Sequence, residues 1–271
     1  MTDPLALLYP PTCVLCGAPG ADGRDLCAGC HADLPDIGPH CARCAQPFSA
    51  AVEETFAADL MANATISSAN TDANTDTDAN TDTDANTDAK DSTRLCGRCQ
   101  RAPPPFARCM AAFRYEEPLS SLVVDIKFRS KLNLIRLLGG LLADALSAER
   151  ERSGWPLPAA IVPVPLHPRR LRARGYNQAL ELARVVGRRL AIPVNHRCCR
   201  RIRATRAQAE LDQRSRLSNL RDAFAVTEPP PRHLAILDDV VTTGATVSEL
   251  AGVLEQAGCE RVEVWALART S

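Results

Sequence analysis

The chain has 271 residues, enough for one large or two modest domains with a real core. Hydrophobic residues make up 45%, yet no stretch approaches the ~20 apolar residues of a membrane span, and aromatics at 4% argue against a base-stacking platform. The formal net charge is zero, but residues 161–221 carry fifteen Arg, no Lys and three acids (Glu181, Glu210, Asp212), a net of +12, whereas the tract 70–91 is acidic.

A local arginine excess suits phosphate-rich ligands, because the guanidinium fork meets two phosphate oxygens at once. The bland alternative is a solvated charged face. The first residues, Met-Thr-Asp-Pro-Leu-Ala-Leu-Leu-Tyr, lack the basic start and the apolar length of a secretory signal. A cytoplasmic chain without membrane insertion is expected. Disulfides are rare in that compartment, so twelve cysteines need another explanation.

Eight of them form four Cys-x-x-Cys pairs: Cys13/Cys16, Cys27/Cys30, Cys41/Cys44 and Cys96/Cys99. Such a knuckle points two thiolates at one ion, and two knuckles complete a tetrahedral zinc site. Gly17, Gly29 and Gly97 fit the turns this requires. One or two structural zinc ions are expected, since four sulfur ligands leave no open position for a substrate. Spacing leaves the pairing open between sequential sites (first with second, third with fourth) and interleaved ones. Cys109, Cys198, Cys199 and Cys259 fall outside the pattern. Cys259 reads as packing, and adjacent Cys198 and Cys199 are expected on opposite sides of an extended segment.

A zinc-ribbon module is expected over residues 1–108, interrupted by an insertion at about 50–93. From 69 to 89 the insertion repeats Ala-Asn-Thr-Asp units with no aromatic residue, which predicts disorder. It lacks the glycines of a calcium-binding repeat. A second domain is expected over 109–271. Residues 109–115 read as a strand, 119–128 and 132–146 as helices, and 160–165 as a buried strand running into a loop. The segment 178–190 reads as a helix, 234–237 as a strand, 246–256 as a helix and 261–268 as a strand. Strands alternating with helices imply a parallel sheet covered on both faces, with ligands beyond the strands' carboxyl ends.

The chemistry concentrates at His233-Leu-Ala-Ile-Leu-Asp-Asp-Val-Val-Thr-Thr-Gly-Ala-Thr246. Two carboxylates at a strand end are costly unless something positive or hydroxylated meets them. Thr242, Thr243, Gly244, Ala245 and Thr246 then run into a helix, which offers N–H groups and hydroxyls as a phosphate cradle. The segment has neither the Gly-x4-Gly-Lys of a Walker loop nor a Gly-x-Gly-x-x-Gly turn.

An apolar strand, two acids, two residues and Thr-Thr-Gly-x-Thr resembles the phosphoribosyl pyrophosphate (PRPP) fingerprint of type I phosphoribosyltransferases. The resemblance extends along the chain: the Cys-x-x-Cys pairs, Ile126-Lys-Phe128, the run from Val162 to Gln178, then Thr205-Arg-Ala-Gln208, Arg214, Asn219-Leu220 and Ala223-Phe224. This order is similar to the ComF family (the ComFC/GntX group), which is linked to natural transformation. The Asn-Thr-Asp insertion departs from that pattern and leaves the motifs intact.

The resemblance implies an α/β fold of the type I phosphoribosyltransferase kind, a parallel sheet with helices on both faces, plus the N-terminal zinc ribbon. It implies that Asp238 and Asp239 contact ribose hydroxyls and that Thr242, Thr243, Gly244, Ala245 and Thr246 hold the 5-phosphate. The loop after Val164 would face the pyrophosphate through Arg169, Arg170 and Arg174. Lys127 and Arg129 would add charge, and Mg2+ would ride on the pyrophosphate. Asp239 is also a candidate acid/base toward the acceptor. His167 is a candidate ligand-facing residue, Asn177 a helix N-cap, and Arg200, Arg201, Arg203 and Arg206 a grip on nucleic acid or a lid.

Two functions follow as expectations. One is transfer of phosphoribose from PRPP to an acceptor, linked to DNA uptake. The other is a DNA-handling or regulatory protein that keeps the PRPP fold without transferase activity. Single-stranded DNA and competence proteins are the expected partners.

Overall fold

The computed structural model describes residues 10–48, 94–129, 131, 133–203 and 222–271. The Asn-Thr-Asp insertion and the stretch with Thr205, Arg206, Gln208, Arg214, Asn219 and Leu220 lie outside the described residues.

The short helices α1 (Ala28–Ala32) and α2 (Gly97–Arg101) belong to the cysteine-rich part. Then follow β1 (Arg108–Arg114), α3 (Leu119–Arg129), α4 (Asn133–Ser153), β2 (Ala160–Pro163), α5 (Pro168–Arg174) and α6 (Gln178–Leu190). The chain ends with β3 (Cys199–Arg201), β4 (Phe224–Val226), β5 (His233–Val241), α7 (Ala245–Gln256) and β6 (Arg261–Arg269).

Four strands form one sheet in the order β1-β6-β5-β2, and each pairing is parallel. β3 and β4 pair antiparallel in a separate ribbon. Among the described residues no helix is long and apolar enough to cross a membrane.

The period-two alternation of the central strands sorts their side chains to two cores. Leu234, Ile236, Val262, Val264 and Ala266 face the side covered by α7. Ala235, Leu237, Trp265 and Leu267 face the side covered by α3, α4 and α6. Both faces being covered explains why β5 and β6 read as near-continuous apolar runs rather than clean alternation. α3 contributes Leu119, Leu122, Val123 and Ile126, an i, i+3, i+4, i+7 stripe that is buried throughout. Each such side chain contributes about 1.5–3 kcal/mol of burial. α4 and α6 approach closely at Gly139, where an added Cβ would stand 2.8 Å from the Cβ of Val185.

The cysteine-rich part clasps the β1 edge from both sides. Its first half puts Cys13, Leu26 and Leu34 into the core under α4, and its second half puts Cys41, Cys44 and Cys99 into the core under α7. Between them the backbone of β1 is tied down: Arg114 N donates to Pro35 O at 2.8 Å and Cys109 N to Arg43 O at 2.8 Å. An edge strand otherwise presents unpaired N–H and C=O groups, so this covering protects the sheet's margin. Asp144 of α4 meets Arg24 of the first ribbon and Arg189 of α6, each at 2.7 Å. At 35% exposure of Asp144, these pairs add orientation more than stability.

Three sequence expectations need correction. β5 does not end at the acids but runs through Asp238 and Asp239 to Val241, because Asp238, Val240 and Val241 continue the ladder with β6. The segment after Val164 is not simply a loop: Pro168–Arg174 is a helix, capped by His167 at its start and by left-handed Gly175 at its end. Cys198 and Cys199 do not face opposite sides; both are buried, with their Sγ atoms 3.8 Å apart. Cys259 is buried beside backbone carbonyls, in keeping with packing.

Candidate functional site

The cysteines resolve into two clusters, Cys13/Cys16/Cys27/Cys30 and Cys41/Cys44/Cys96/Cys99, so the pairing is sequential. In each cluster the ligand atoms lie within 4.8 Å of one another. A tetrahedral site with Zn–S of ~2.3 Å has S···S edges of about 3.8 Å. The contacts Cys16–Cys27 at 3.6 Å and Cys44–Cys96 at 3.7 Å match those edges and are far too long for a disulfide. Backbone N–H groups point at the sulfurs, Cys96 N to Cys41 Sγ at 3.2 Å and Cys30 N to Cys27 Sγ at 3.4 Å, as thiolate ligands require. The donor sets fit two structural zinc ions with no open coordination position.

The second centre is built on the carboxyl-terminal half of β5, at the end of the sheet where parallel strands gather ligands. Asp239 is buried, and Lys127 Nζ stands 2.8 Å from its Oδ2. α3 delivers that ammonium because Ile126 is locked in the core one residue earlier. Asp239 Oδ1 accepts from Val240 N at 2.9 Å, and Asp238 Oδ1 from Asp239 N at 2.9 Å. Burial pushes the Asp238 carboxyl well above the ordinary range, and the neighbouring Asp239 charge adds to it. Burial acts on Asp239 in the same sense, but the charge of Lys127 and its hydrogen bond hold Asp239 below the usual carboxylate range. For Lys127, burial works against the charge, and Asp239 outweighs it so that the ammonium titrates higher than normal. The pair therefore carries one firmly held negative charge on Asp239, while Asp238 keeps its proton to higher pH than an ordinary carboxyl.

Three residues later the chain turns at Thr242–Gly244 into α7. Gly244 is the N-cap with φ of 77°, a left-handed conformation that favours glycine. It has no side chain to cap the helix, whose positive dipole end favours an anion. Thr243 Oγ1 accepts from Ala245 N at 3.3 Å, and Ala245 is buried at the start of the helix. Thr242 and Thr246 are half-buried beside them. The structure thus brings Asp238, Asp239, Thr242, Thr243, Gly244, Ala245, Thr246 and Lys127 to one ledge, with Lys127 engaged on Asp239.

Of the arginines on α5, Arg169 is exposed while Arg170 and Arg174 are half-buried, and Arg174 stacks over the exposed Phe128 ring at 5.5 Å. His167 accepts from Arg169 N at 3.2 Å, and partial burial and the guanidinium groups of Arg169, Arg201, Arg172 and Arg170 pull its pKa down. Asn177 caps α6 as expected, accepting from Ala179 N at 3.1 Å.

Arg201, which sits among exposed arginines in the sequence, is itself only 7% exposed. It packs over Phe224, and its charge is felt by Asp238 on one side and Arg170 on the other. A buried arginine needs a counter-charge. Two further arginines, Arg98 and Arg269, carry no local sequence signal, yet both reach the Thr242–Gly244 turn from afar in the chain.

Comparison with known proteins agrees with the zinc-ribbon centre. A family model described as a double zinc ribbon domain matches residues 4–61, which hold the first three Cys-x-x-Cys pairs. The DNA utilization protein YhgH of Salmonella typhi is 40% identical over 176 residues, 65% of this chain and 78% of that protein. This chain belongs to the ComF family. Competence protein F of Haemophilus influenzae is 37% identical over 178 residues, 64% of this chain and 78% of its own length. Competence protein ComFC of Streptococcus pneumoniae is 26% identical over 160 residues, 59% of this chain and 67% of its own. In this ComF chain the fourth Cys pair lies beyond the matched ribbon, after residues 49–93, and still completes the second cluster.

Proposed function

We propose that this ComF protein binds PRPP with magnesium and transfers its phosphoribosyl group to an acceptor, in the service of DNA uptake and natural transformation. The observation that carries the reading is the Asp238–Asp239 pair, one member held ionised by Lys127, followed through the Thr242–Gly244 turn by a glycine-capped helix start. Paired carboxylates with a shared proton suit two vicinal ribose hydroxyls, and N–H groups at a helix start suit the 5-phosphate. Asp238, Asp239, Thr242, Thr243, Gly244, Ala245 and Thr246 take those roles. Arg169, Arg170 and Arg174 on α5, joined by Arg201, face the pyrophosphate with charge-assisted hydrogen bonds.

Magnesium fits as a ligand-borne ion. Among the described residues the groupings able to hold a metal by protein atoms alone are the two cysteine clusters, and Mg2+ is commonly held by one or two carboxylates plus substrate phosphates. When bound it neutralises charge on the departing pyrophosphate. The chain's own contribution is to hold the ribose fixed and to set the ionised Asp239 near the positive charge that builds at the anomeric carbon. Asp238, which keeps its proton until unusually high pH, is the group able to exchange one with a hydroxyl.

The link to DNA rests on the names of the relatives and on the arginine excess over residues 161–221. A second reading follows from the same observations: a cytoplasmic DNA-handling or regulatory protein, working with single-stranded DNA and competence proteins, that binds PRPP without transferring it.

Ligand-induced stabilisation tests the binding site common to both. PRPP with Mg2+ at 100 times Kd adds about 2.7 kcal/mol to the folded state, and the Asp238→Asn/Asp239→Asn double variant gains nothing. Equal stabilisation of both proteins, or of neither, contradicts the assignment. Release of pyrophosphate on adding a candidate acceptor separates the transferase from the binder.

A further inference from the structure

The turn that forms the phosphate cradle is gripped by two arginines, Arg98 of the second zinc ribbon and Arg269 at the end of β6, which is itself hydrogen-bonded to that ribbon. Three consecutive carbonyls are held this way. Arg269 Nη1 donates to Val241 O at 3.1 Å and also to Thr242 O. Arg98 Nη1 donates to Thr243 O at 2.8 Å. Arg98 stands between the ligands Cys96 and Cys99 on α2. Arg269, 2% exposed, donates through Nε to the carbonyl of the ligand Cys44 at 3.1 Å and through Nη2 to Gln46 Oε1 at 2.7 Å. The Arg98 guanidinium also closes over the cap: an added Cβ on Gly244 would lie 3.4 Å from its Nη2. Among the described residues the first ribbon has no such grip on the turn; it meets α4 instead, through Arg24 and Asp144.

Peptide planarity turns this grip into a function. In a trans peptide the C=O of one residue and the N–H of the next point in opposite directions. Fixing the carbonyls of Val241, Thr242 and Thr243 toward the ribbon therefore fixes the N–H groups of Thr242, Thr243 and Gly244 away from it. An anion nest needs such preset, convergent N–H groups.

We propose that the second zinc ribbon is the positioning frame of the phosphate cradle, so that metal occupancy of Cys41/Cys44/Cys96/Cys99 sets the affinity for the phosphate half of the ligand. The proposal rests on the phosphoribose reading above. Arg98 is a positioning residue that acts through the Thr243 carbonyl. Arg269 anchors the other two peptides and the knuckle at Cys44. Loss of the second zinc frees α2 and, with it, Arg98. The two ribbons then have different tasks: the first packs against the helical face, and the second shapes the site.

The test uses zinc-loaded, full-length protein, with ribose 5-phosphate and with PRPP plus Mg2+ as probes. Arg98→Ala weakens both ligands by the same factor, about three- to tenfold for one missing hydrogen bond, with zinc content and melting temperature unchanged. Arg98→Lys recovers part of the affinity, since an ammonium can also donate to the Thr243 carbonyl. Cys96→Ser, with one zinc fewer per chain, loses at least as much affinity as Arg98→Ala. Wild-type affinity in both Arg98→Ala and Cys96→Ser overturns the proposal and leaves the PRPP site standing. An effect of Arg98→Ala on PRPP but not on ribose 5-phosphate also overturns it, because Arg98 would then act on the pyrophosphate. A loss in Cys16→Ser equal to that in Cys96→Ser shows a general need for zinc and refutes the division of tasks. If wild-type protein binds neither probe, the phosphoribose reading falls together with the proposal. Should Cys96→Ser fail to fold, the pair Arg98→Ala and Arg98→Lys still decides.

Discussion

Replacing Lys127 with Met removes the cation that keeps Asp239 ionised while preserving most of the side chain's bulk. Lys127 is 21% exposed and Asp239 10% by side chain, and they meet at 2.8 Å. Breaking a buried pair by deleting one partner costs about 3–5 kcal/mol when the remaining charge has no escape. Asp239 does have an escape, protonation, so the cost depends on pH. In the wild type its folded pKa is depressed, so its stabilisation is present above the unfolded pKa and lost as pH falls through the folded one. In Lys127→Met, burial pushes the Asp239 pKa up, opposed only by its hydrogen bonds with Asp238 and Val240 N, and the variant loses stability as pH rises through the new value. The difference between the two proteins therefore grows from acid to alkaline pH. At pH 8 about 2–4 kcal/mol is expected, or roughly 5–10 °C in melting temperature for a chain of this size. At pH 5.5 the gap should be less than half of that. Thermal melts of both proteins at the two pH values, with zinc content checked in each, give the answer. A variant that melts within about 2 °C of wild type at both pH values would refute the account of Asp239 as a charge held by Lys127.

Asp238→Asn mimics the protonated acid, so at pH 8 stability is expected to hold or rise by up to about 1 kcal/mol while PRPP binding weakens; a clear loss of stability would count against the proton on Asp238. Gly244→Ala forces a side chain into a left-handed cap beside Arg98 and should cost about 1–2 kcal/mol in denaturant titration, together with weaker ribose 5-phosphate binding. Elemental analysis should find two zinc ions per chain, and strong chelators should lower the melting temperature; a single zinc would contradict the sequential clusters. Replacing Arg169 and Arg172, both exposed on α5, should lower affinity for single-stranded oligonucleotides and reduce the salt slope by roughly 0.7 for each phosphate no longer neutralised; an unchanged slope would remove α5 from the DNA surface.

The central strands and the long helices were legible because their apolar periodicity is local. The i, i+3, i+4 stripe of Leu119, Leu122 and Val123 and the run at 234–237 declare themselves within a few residues. Their ends were less legible: Asp238 and Asp239 look like a strand terminus, yet the strand pairs with β6 at Asp238 and again at Val240 and Val241. Helix α5 was hidden by its prolines and arginines, although His167, Pro168 and Gly175 spell out an N-cap, a first-turn proline and a left-handed C-cap. The zinc pairing could not be read, because equal Cys-x-x-Cys spacing serves sequential and interleaved sites alike. Least legible were Arg98, Arg201 and Arg269. Arg98 and Arg269 lie 145 and 27 residues from their partners in the cradle, and Arg201 comes within electrostatic range of Asp238 only through the placement of the β3–β4 ribbon. No local signal marks such pairings, since the fold brings them together only after the sheet and ribbons have assembled.

The claim at the centre of this account is that the Asp238–Asp239 ledge and the Thr242–Thr246 cradle form a working ribose phosphate site. Isothermal titration of PRPP with Mg2+ into zinc-loaded protein tests it most directly, with the Asp238→Asn/Asp239→Asn double variant alongside. Saturable one-site binding by the wild type that the double variant loses is the predicted result. A folded, zinc-loaded wild type that takes up no PRPP would contradict the account in both of its readings, transferase and binder alike.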